Sequence, residues 1–331
     1  MRRVGVGLAG LGRIGRMHAV NLATRCGVAE LACVFDAVPE VAERVGAELG
    51  VPWTSSFDEL LDRSPAVAIA SPTGTHAELV TASAAAGRPV FCEKPISLDR
   101  ATSVAVIEAV EAAGVPFQVG FHRRFAPDWE AAAERIHAGE LGEVTYFRGT
   151  MRDMDPPNPA FLAGSGGFFA DFTIHDLDTA RWLVGEIVEV TAHGTAHDPA
   201  FEQLGDIETA VVVLRFANGA LGVIDNSRSA RYGFECSNEV VGTQATVRVV
   251  QPPLVGYEWR TPGVVHQVLP RDFEQRFSLA YVVELDAFAR CVLDGSPPRC
   301  TGRDALAAFD LALACDESWR TGRTVTVPAH P

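Results

Sequence analysis

The chain has 331 residues, of which 47% are apolar and 21% are charged, and its net charge is −14. This length predicts two domains, and the acidity argues against nucleic acid as a partner because phosphate binding needs a basic surface. There is no run of 18 apolar residues, and the seven cysteines follow no CxxC spacing. We therefore expect a cytoplasmic protein with reduced thiols, no membrane association and no metal site.

The N-terminus predicts a strand, a glycine-rich turn, a helix and a second strand. The apolar run Val4–Ala9 leads into the motif Gly10-Leu11-Gly12-Arg13-Ile14-Gly15, and a helix follows to about Arg25. The first glycine of such a motif permits a tight turn, the second lets a pyrophosphate approach, and the third lets helix and strand pack closely. The pattern favours a dinucleotide site at a helix N-terminus, although the motif alone could also be an ordinary turn.

The second strand, Ala29–Phe35, ends at Asp36, 21 residues after the last glycine of the motif. A carboxylate here is expected to accept hydrogen bonds from the adenosine ribose and to repel a 2′-phosphate. The next residues, Ala37 and Val38, supply no arginine to hold such a phosphate. The sequence therefore predicts NAD rather than NADP as the cofactor.

Strand and helix signals continue to alternate up to about residue 122. They predict strands at Ala66–Ala70, Pro89–Cys92 and Phe117–Val119, a helix from Thr75 with Glu78 in a capping box, and a helix over Asp99–Ala113. This alternation is typical of a parallel sheet with helices on both faces, which binds ligands beyond the carboxyl ends of its strands. The residues expected at that edge are Asp36, Ser71, Thr73, Glu93, Lys94 and Gln118.

After residue 122 long alternating strands predict an open, mostly antiparallel sheet, so the fold class is α/β: a Rossmann domain followed by an α+β domain. The predicted strands are Val144–Met151, Ile187–His193, Thr209–Ala217, Ala220–Ser229, Glu235–Val241 and Ala245–Val250. The predicted helices are Pro127–His137, one within Phe168–Leu183, Phe277–Leu293, and Thr301–Trp319 with Thr301 and Asp304 in a capping box. One sheet face carries apolar side chains at alternate positions, at Val211, Val213, Leu221 and Val223. We expect this face to form a homo-oligomer interface.

A second group of polar residues lies within the helix predicted over Phe168–Leu183. Asp171, His175 and Asp178 follow helical spacing and share one face, whereas Asp176 points elsewhere and is expected to be solvated. A carboxylate four residues before a histidine can fix its tautomer and make it a general base. The alternative, which spacing alone leaves open, is a structural His–Asp hydrogen bond.

Lys94 lies between Glu93 and Pro95 at a strand end. An amine there can bind a substrate hydroxyl and stabilise its alkoxide, but a surface lysine paired with Glu93 is the alternative. Pro95 is a candidate for a cis peptide bond.

Three other histidines are candidates for a functional role. His76 either touches cofactor or is a solvated helix residue, and His122 is expected to line the cleft. His18 is expected to be an ordinary helix residue.

Together these residues resemble the Gfo/Idh/MocA oxidoreductase family over essentially the whole chain. The resemblance rests on Gly10 to Gly15, on Glu93-Lys94-Pro95 and on Asp171 with His175. Five further segments are similar to those of inositol-oxidising members of the family. They are Val119 to Phe125, Arg152-Asp153, Ser165 to Gly167, Thr173 to Asp176 and Arg231 to Phe234. The resemblance implies a dinucleotide-binding domain over residues 1–122 and a substrate and oligomerisation domain over 123–300. It also implies that a helix within 301–331 packs back on the first domain, and that the protein is a homotetramer or dimer.

The resemblance also implies roles for individual residues. Lys94 contacts nicotinamide and the reacting hydroxyl, His175 takes the hydroxyl proton, and Asp171 orients both. The implied cofactor contacts are Gly10, Gly12, Arg13, Ile14, Asp36, Ser71, Thr73, His76, Glu93, Lys94 and Arg123. The implied substrate contacts are Lys94, His122, Arg123, Asp153, Asp171, Thr173, His175 and Tyr232.

The implied activity is NAD-dependent oxidation of a secondary hydroxyl of a cyclic polyol, with myo-inositol at C2 as the first expectation. Scyllo-inositol or another sugar-like polyol is the alternative, because the catalytic residues do not discriminate among them. A non-catalytic NAD-binding regulator is a further alternative, since a fold does not fix a function. Such a regulator would have no need of Lys94, Asp171 and His175 together.

Overall fold

Within residues 2–328, which the computed structural model describes, six parallel strands form the first sheet in the order β3-β2-β1-β4-β5-β6. The strands are β1 (Val4–Ala9), β2 (Ala29–Phe35), β3 (Trp53–Thr54), β4 (Ala66–Ile69), β5 (Val90–Glu93) and β6 (Phe117–Gly120). The strand order reverses between β1 and β4, which is where ligands bind in open α/β sheets.

Five helices connect these strands: α1 (Arg13–Thr24), α2 (Pro39–Leu49), α3 (Phe57–Arg63), α4 (His76–Ala85) and α5 (Arg100–Ala113). Helix α5 begins where the sequence predicts, because Asp99 accepts a hydrogen bond from the Thr102 amide at 2.7 Å. It ends at Gly114, whose φ of 65° is a conformation that glycine adopts without strain.

Helix α4 begins at His76, directly after the Thr75 of its predicted capping box. Thr73–Thr75 form a 3₁₀ turn, and the Thr75 hydroxyl donates to the Pro72 carbonyl at 2.8 Å. The side chain of Thr75 therefore caps no helical amide, and that prediction is wrong.

In the described part of the chain, seven strands form the second sheet in the order β12-β11-β7-β10-β9-β8-β15. They are β7 (Val144–Arg152), β8 (Ile187–Thr195), β9 (Thr209–Phe216), β10 (Leu221–Ser227), β11 (Glu235–Gly242), β12 (Thr246–Val249) and β15 (Val325–Thr326), and a separate hairpin pairs β13 (Trp259–Thr261) with β14 (Val264–His266). Only the β7–β10 pair of this sheet is parallel, so the predicted mostly antiparallel sheet is confirmed. Asn218-Gly219 forms the turn that joins β9 to β10.

The remaining helices are α6 (Pro127–His137), α7 (Pro159–Leu162), α8 (Ile174–Val184), α9 (Pro199–Leu204), α10 (Phe273–Phe277), α11 (Ala280–Asp294) and α12 (Gly302–Thr321). The helix predicted over Phe277–Leu293 is therefore two helices, separated at Ser278 and Leu279. The capping box before α12 is confirmed: the Thr301 amide donates to Asp304 at 2.9 Å, and the Asp304 amide donates to the Thr301 hydroxyl at 3.2 Å.

Helices cover one face of the second sheet and leave the other open. Asn226 on β10 donates to Asp176 on α8 at 3.0 Å, so alternate residues of β10 face that helix. On the opposite face Val211, Val213 and Leu221 are 41%, 47% and 48% exposed. The predicted apolar open face is thus present.

The chain divides into two units that differ from the predicted domains. The first comprises residues 2–126 and Leu279–Leu306, and the second comprises Pro127–Ser278 and residues 307–328. Helix α11 belongs to the first unit because its apolar side chains, including Leu285 and Phe288, complete the core around β1, β2 and α1. Of the predicted segment 301–331, residues 301–306 also belong to the first unit and residues 307–328 belong to the second, while residues 329–331 lie outside the described chain. In the described residues, no helix is both long and apolar enough to span a bilayer.

Candidate active site

The three motif glycines meet three different environments in the first unit. Gly10 has a φ of 91°, and a Cβ there would lie 2.4 Å from the Ser71 amide nitrogen. A Cβ at Gly15 would lie 2.0 Å from the Gly10 carbonyl oxygen, whereas one at Gly12 would meet no described heavy atom within 4 Å. The first and third glycines are therefore required by the turn and by packing, and the second leaves the backbone open where a pyrophosphate would approach.

Asp36 lies beside this turn at the end of β2. Its Oδ2 accepts a hydrogen bond from the Leu11 amide at 2.8 Å, and its Oδ1 accepts one from the Val38 amide at 2.9 Å. These bonds hold the carboxylate at the edge of the glycine turn while leaving lone pairs for further donors. Arg13 and Ile14 form the first turn of α1, directly after Gly12. The residues present fit a dinucleotide with unphosphorylated ribose.

A second loop follows β4 and carries Ser71 and Thr73. The Ser71 and Thr75 hydroxyls are 2.7 Å apart. The His76 ring is 1% exposed, with Nε2 2.8 Å from the Ser71 carbonyl oxygen and Nδ1 2.8 Å from the Pro95 carbonyl oxygen. These contacts show that the His76 ring is not solvated. They also occupy both ring nitrogens, so neither is free to bind the cofactor. His76 instead ties the loop after β4 to the turn after β5.

That turn contains the Glu93-Lys94-Pro95 motif, and its Lys94–Pro95 peptide bond is cis. The Glu93 carboxylate accepts a hydrogen bond from His18 Nε2 at 2.7 Å. His18 is fully buried, so the prediction of an ordinary helix residue is wrong. Nothing in the sequence near either residue signals this pair, because 75 residues separate them.

The turn after β6 buries three cationic or titratable side chains in succession. His122 stacks on Tyr281 of α11, with ring centroids 4.8 Å apart and planes at 28°. Arg123 is 2% exposed. Arg124 donates to the Arg299 carbonyl at 3.2 Å and pairs with Asp304 at 3.3 Å. These contacts fix the turn within the first unit, where His122 and Arg123 were predicted to meet ligands.

In the second unit, Asp171 lies in a π-helical turn, Phe169–Thr173, that precedes α8. Its carboxylate accepts a hydrogen bond from Arg228 Nη2 at 2.7 Å. The Arg228 side chain is 1% exposed, and its guanidinium carbon lies 5.5 and 5.0 Å from the ring centroids of Phe168 and Phe172. A buried cation thus compensates the Asp171 charge. No local pattern indicates Arg228 as the partner, because 57 residues separate it from Asp171 in the sequence.

The π turn alters the helix face predicted for Asp171, His175 and Asp178. A π turn has more residues per turn than an α-helix, so i, i+4 spacing across it does not keep the same angular position. Asp178 is 1% exposed, and Thr173 is fully buried. Asp176 is also fully buried and accepts the hydrogen bond from Asn226, so the expectation of a solvated Asp176 is wrong.

Tyr232 lies in a different part of the second unit. Its hydroxyl donates to Glu235, and partial burial together with this bond raises the pKa of Tyr232 to about 12. Glu235 is paired in register with Arg152, which forms an ion pair with Asp225. Because Asp225 is opposite Val211, these polar groups belong to the open face, whereas Asp171 belongs to the helix-covered side. The Asp153 amide donates to the Ser227 carbonyl at 2.9 Å at the end of β10.

The seven cysteines all lie in the described chain, where they are free thiols and buried. This agrees with the predicted absence of a disulfide framework in these residues.

Two family models match the chain. The oxidoreductase family with an NAD-binding Rossmann fold matches residues 4–121, and the GFO/IDH/MocA C-terminal domain matches residues 129–248. These matches cover well over half of the sequence and fall on the two sheets described above.

Individual relatives match over nearly the whole chain. The scyllo-inositol 2-dehydrogenase (NAD(+)) of Bacillus subtilis is 39% identical over 326 residues, covering 96% of this chain and 94% of its own. The myo-inositol 2-dehydrogenase of Thermotoga maritima is 38% identical over 330 residues, covering 97% of each. Among solved structures, the scyllo-inositol dehydrogenase of Lactobacillus casei with bound NAD(H) and scyllo-inositol matches with a TM-score of 0.90 at 29% identity, covering 98% of this chain and 99% of that one.

Proposed function

The chain belongs to the Gfo/Idh/MocA oxidoreductase family, and on that premise we propose that it oxidises one secondary hydroxyl of an inositol to the ketone with NAD as the acceptor. The observation that carries the proposal is similarity along nearly the full length to two inositol 2-dehydrogenases, one of which is named for NAD(+). The open backbone at Gly12 and the carboxylate of Asp36 support the same cofactor.

NAD, when bound, accepts the hydride that leaves the alcohol carbon. We assign the hydroxyl proton to His175, whose imidazole can take it near neutral pH. Lys94 hydrogen-bonds the reacting oxygen and stabilises negative charge on it. Asp171, held by Arg228, orients the substrate and the base. Holding the alcohol in one reactive geometry supplies much of the rate enhancement.

The other ring hydroxyls are assigned to Arg123, Asp153 and Thr173 together with His122. Tyr232 is not given this role, because its hydroxyl donates to Glu235 among the polar groups of the open face.

Myo-inositol, oxidised at C2 to 2-keto-myo-inositol, is the first candidate substrate. Scyllo-inositol is the second, and it is favoured by a specific observation: the Bacillus subtilis scyllo-inositol enzyme is as similar to this chain as the Thermotoga maritima myo-inositol enzyme. The two inositols are epimers at one carbon, so oxidation at that carbon gives the same ketone from both.

Absorbance at 340 nm, recorded with NAD and a panel of inositols and pyranose sugars, tests the proposal directly. We expect NADH formation with one or both of these inositols and much weaker turnover of the sugars. The reverse reaction then separates the candidates, because reduction of the shared ketone by NADH gives the myo or the scyllo epimer according to the face that receives hydride. NAD binding without turnover of any polyol would favour a regulator and contradict the proposal.

We also propose that the protein is a homo-oligomer, a tetramer or else a dimer, joined through the open face of the second sheet. Its exposed valines and leucine support this assignment. The free, buried thiols support a cytoplasmic location.

A further inference from the structure

A buried cluster beneath the Glu93-Lys94-Pro95 turn has no part in the reaction described so far. It consists of His18 on α1, Glu93 at the end of β5 and Glu284 on α11, whose polar side-chain atoms lie within 4.8 Å of one another. His18 and Glu284 are fully buried. The His18 ring packs edge-on against Phe91 and Tyr281, with centroids 5.6 and 5.8 Å away.

The contacts within this cluster indicate a hydrogen-bonded group. His18 Nε2 and Glu93 Oε1 are 2.7 Å apart, which is the length of a charge-assisted hydrogen bond. The second oxygen of Glu93 is confined by the backbone of β6, since a Cβ at Gly120 would lie 2.9 Å from it. Glu93 is thus fixed on both sides, as the acceptor from His18 and against the neighbouring strand.

Glu284 differs from Glu93 in its surroundings. Both of its carboxyl oxygens are buried, and neither has a hydrogen-bond partner among the described residues. Its helix is anchored nearby, because Gln118 Nε2 donates to the Glu284 backbone carbonyl at 2.9 Å. Burial raises the pKa of Glu284 well above its usual range, and the negative charge of Glu93 raises it further. Its burial, the lack of a hydrogen-bond partner among the described residues and the charge of Glu93 all favour the protonated form of Glu284.

The other charged or titratable groups around Glu284 do not supply a compensating cation from its own helix. Asp286, two residues on, accepts hydrogen bonds from the amides of Gly27, Val28 and Ala29. The Cys26 thiol of the chain after α1 has a pKa raised to about 12, mainly by burial, and stays neutral. His18 and Glu93 are the other members of the cluster, Tyr281 packs against His18 and stacks on His122, and Lys94 follows Glu93 in sequence.

We propose that His18 and Glu284 are positioning residues for Lys94, acting through Glu93. His18 fixes the Glu93 carboxylate by its hydrogen bond, and the proton on Glu284 keeps a second negative charge away from the turn that carries the lysine. The proposal rests on the function proposed above, in which Lys94 binds the reacting oxygen. It predicts that the cluster controls the turnover and pH dependence of the enzyme without touching substrate.

Two pairs of variants test this role in the purified enzyme. His18→Gln keeps an amide donor toward Glu93, and Glu284→Gln is a neutral mimic of the acid, whereas His18→Met and Glu284→Met remove both functions. We expect each Met variant to lower kcat at least tenfold, with the Kd for NAD changed less than threefold, and each Gln variant to recover most of that loss. Glu108→Gln, an exposed charge change on α5, is the matched control.

The pH profile separates positioning from mere structural support. In wild type, ionisation of Glu284 at high pH adds a negative charge beside Glu93, so kcat/KM should fall on the alkaline side. Glu284→Gln should lack this fall, and Glu108→Gln should retain it. Folded Met variants with wild-type kcat, or a Glu284→Gln profile that superimposes on wild type, would overturn the proposal. A stoichiometric divalent ion in purified wild type that is lost in His18→Gln would overturn it too.

A stability measurement decides the protonation of Glu284 without any catalytic assay. A carboxyl whose pKa is raised by folding makes the folded state lose stability as pH rises above the unfolded value, which is 4.5 for this group. Glu284→Gln carries no such group, so its Tm advantage over wild type should be smallest near pH 4.5 and grow toward pH 9. A constant difference would overturn the assigned proton. If wild type oxidises no polyol, the proposed function fails, while this measurement still reports on the cluster.

Discussion

Replacing Asp36 by asparagine should change the cofactor preference of the enzyme. The carboxylate accepts hydrogen bonds from the Leu11 and Val38 amides at 2.8 and 2.9 Å, at the edge of the glycine turn. Asparagine has nearly the same size and keeps one acceptor oxygen, so one of these two amide bonds is kept and the other is lost. The turn should persist on the remaining bond. What the substitution removes is the negative charge that faces the adenosine ribose in the proposed complex.

The magnitude follows from the two interactions of that charge. Repulsion between a carboxylate and one unit of phosphate charge ~4 Å away is about 4 kcal/mol at an effective dielectric constant of ~20. Loss of a hydrogen bond to a charged group costs about 1.5–3 kcal/mol. We therefore expect Asp36→Asn to lower kcat/KM with NAD by about ten- to a hundredfold. With the repulsion relieved as well, the NADP-to-NAD efficiency ratio should rise by up to about 10⁵-fold.

Initial rates with both cofactors, at saturating polyol, measure this ratio. Glu30→Gln is the control, because Glu30 lies on the same strand and only pairs with Arg3 at 3.2 Å on the surface. A wild-type enzyme that prefers NADP, or an Asp36→Asn ratio within twofold of wild type, would refute the reasoning. A thermal melt of Asp36→Asn would show whether the turn persists.

Further substitutions test the catalytic residues, the Arg228–Asp171 ion pair and the open face. Lys94→Ala and His175→Ala should each lower kcat at least ~10²-fold, the scale of general acid–base groups, with NAD affinity measured by fluorescence largely kept in His175→Ala; near-normal turnover in both would contradict their roles. Arg228→Met should destabilise the protein by about 1.5–3 kcal/mol because it removes the buried guanidinium that donates to the partly buried Asp171 carboxylate. Adding Asp171→Asn should recover part of the Tm, and no recovery would mean that the ion pair is unimportant. Val213→Glu should convert the oligomer to monomers in light scattering, whereas a monomeric wild type would remove the interface assignment.

The first sheet was predictable because its signals are local. Apolar runs, the spacing of Gly10, Gly12 and Gly15, and caps such as Asp99 each act within a few residues. Two similar capping signals nevertheless had opposite outcomes. Thr301 and Asp304 form the predicted box, whereas the Thr75 hydroxyl is used by the Pro72 carbonyl and a 3₁₀ turn takes its place.

The site residues that sequence analysis missed are fixed by distant partners. Asp176 lies off the helix face shared by Asp171, His175 and Asp178, which predicted a solvated side chain. Asn226 nevertheless donates a hydrogen bond to it from a strand 50 residues away. Arg228 meets Asp171 only once β10 is paired, and His18 meets Glu93 only once the first sheet is formed. Helical periodicity also did not predict the π turn at Asp171, because no pattern of apolar residues encodes such a turn.

The order in which the ribosome makes this chain conflicts with the order in which its units are completed. The first unit lacks part of its core until Leu279–Leu306 is synthesised, 180 residues after residue 126. At ~5–20 residues per second, the core surface that α11 covers stays exposed for roughly 9–36 s after the N-terminal segment has been synthesised. Truncated products that end before residue 279 should therefore be substrates for chaperones and proteases, and neither unit is expected to survive as a contiguous fragment.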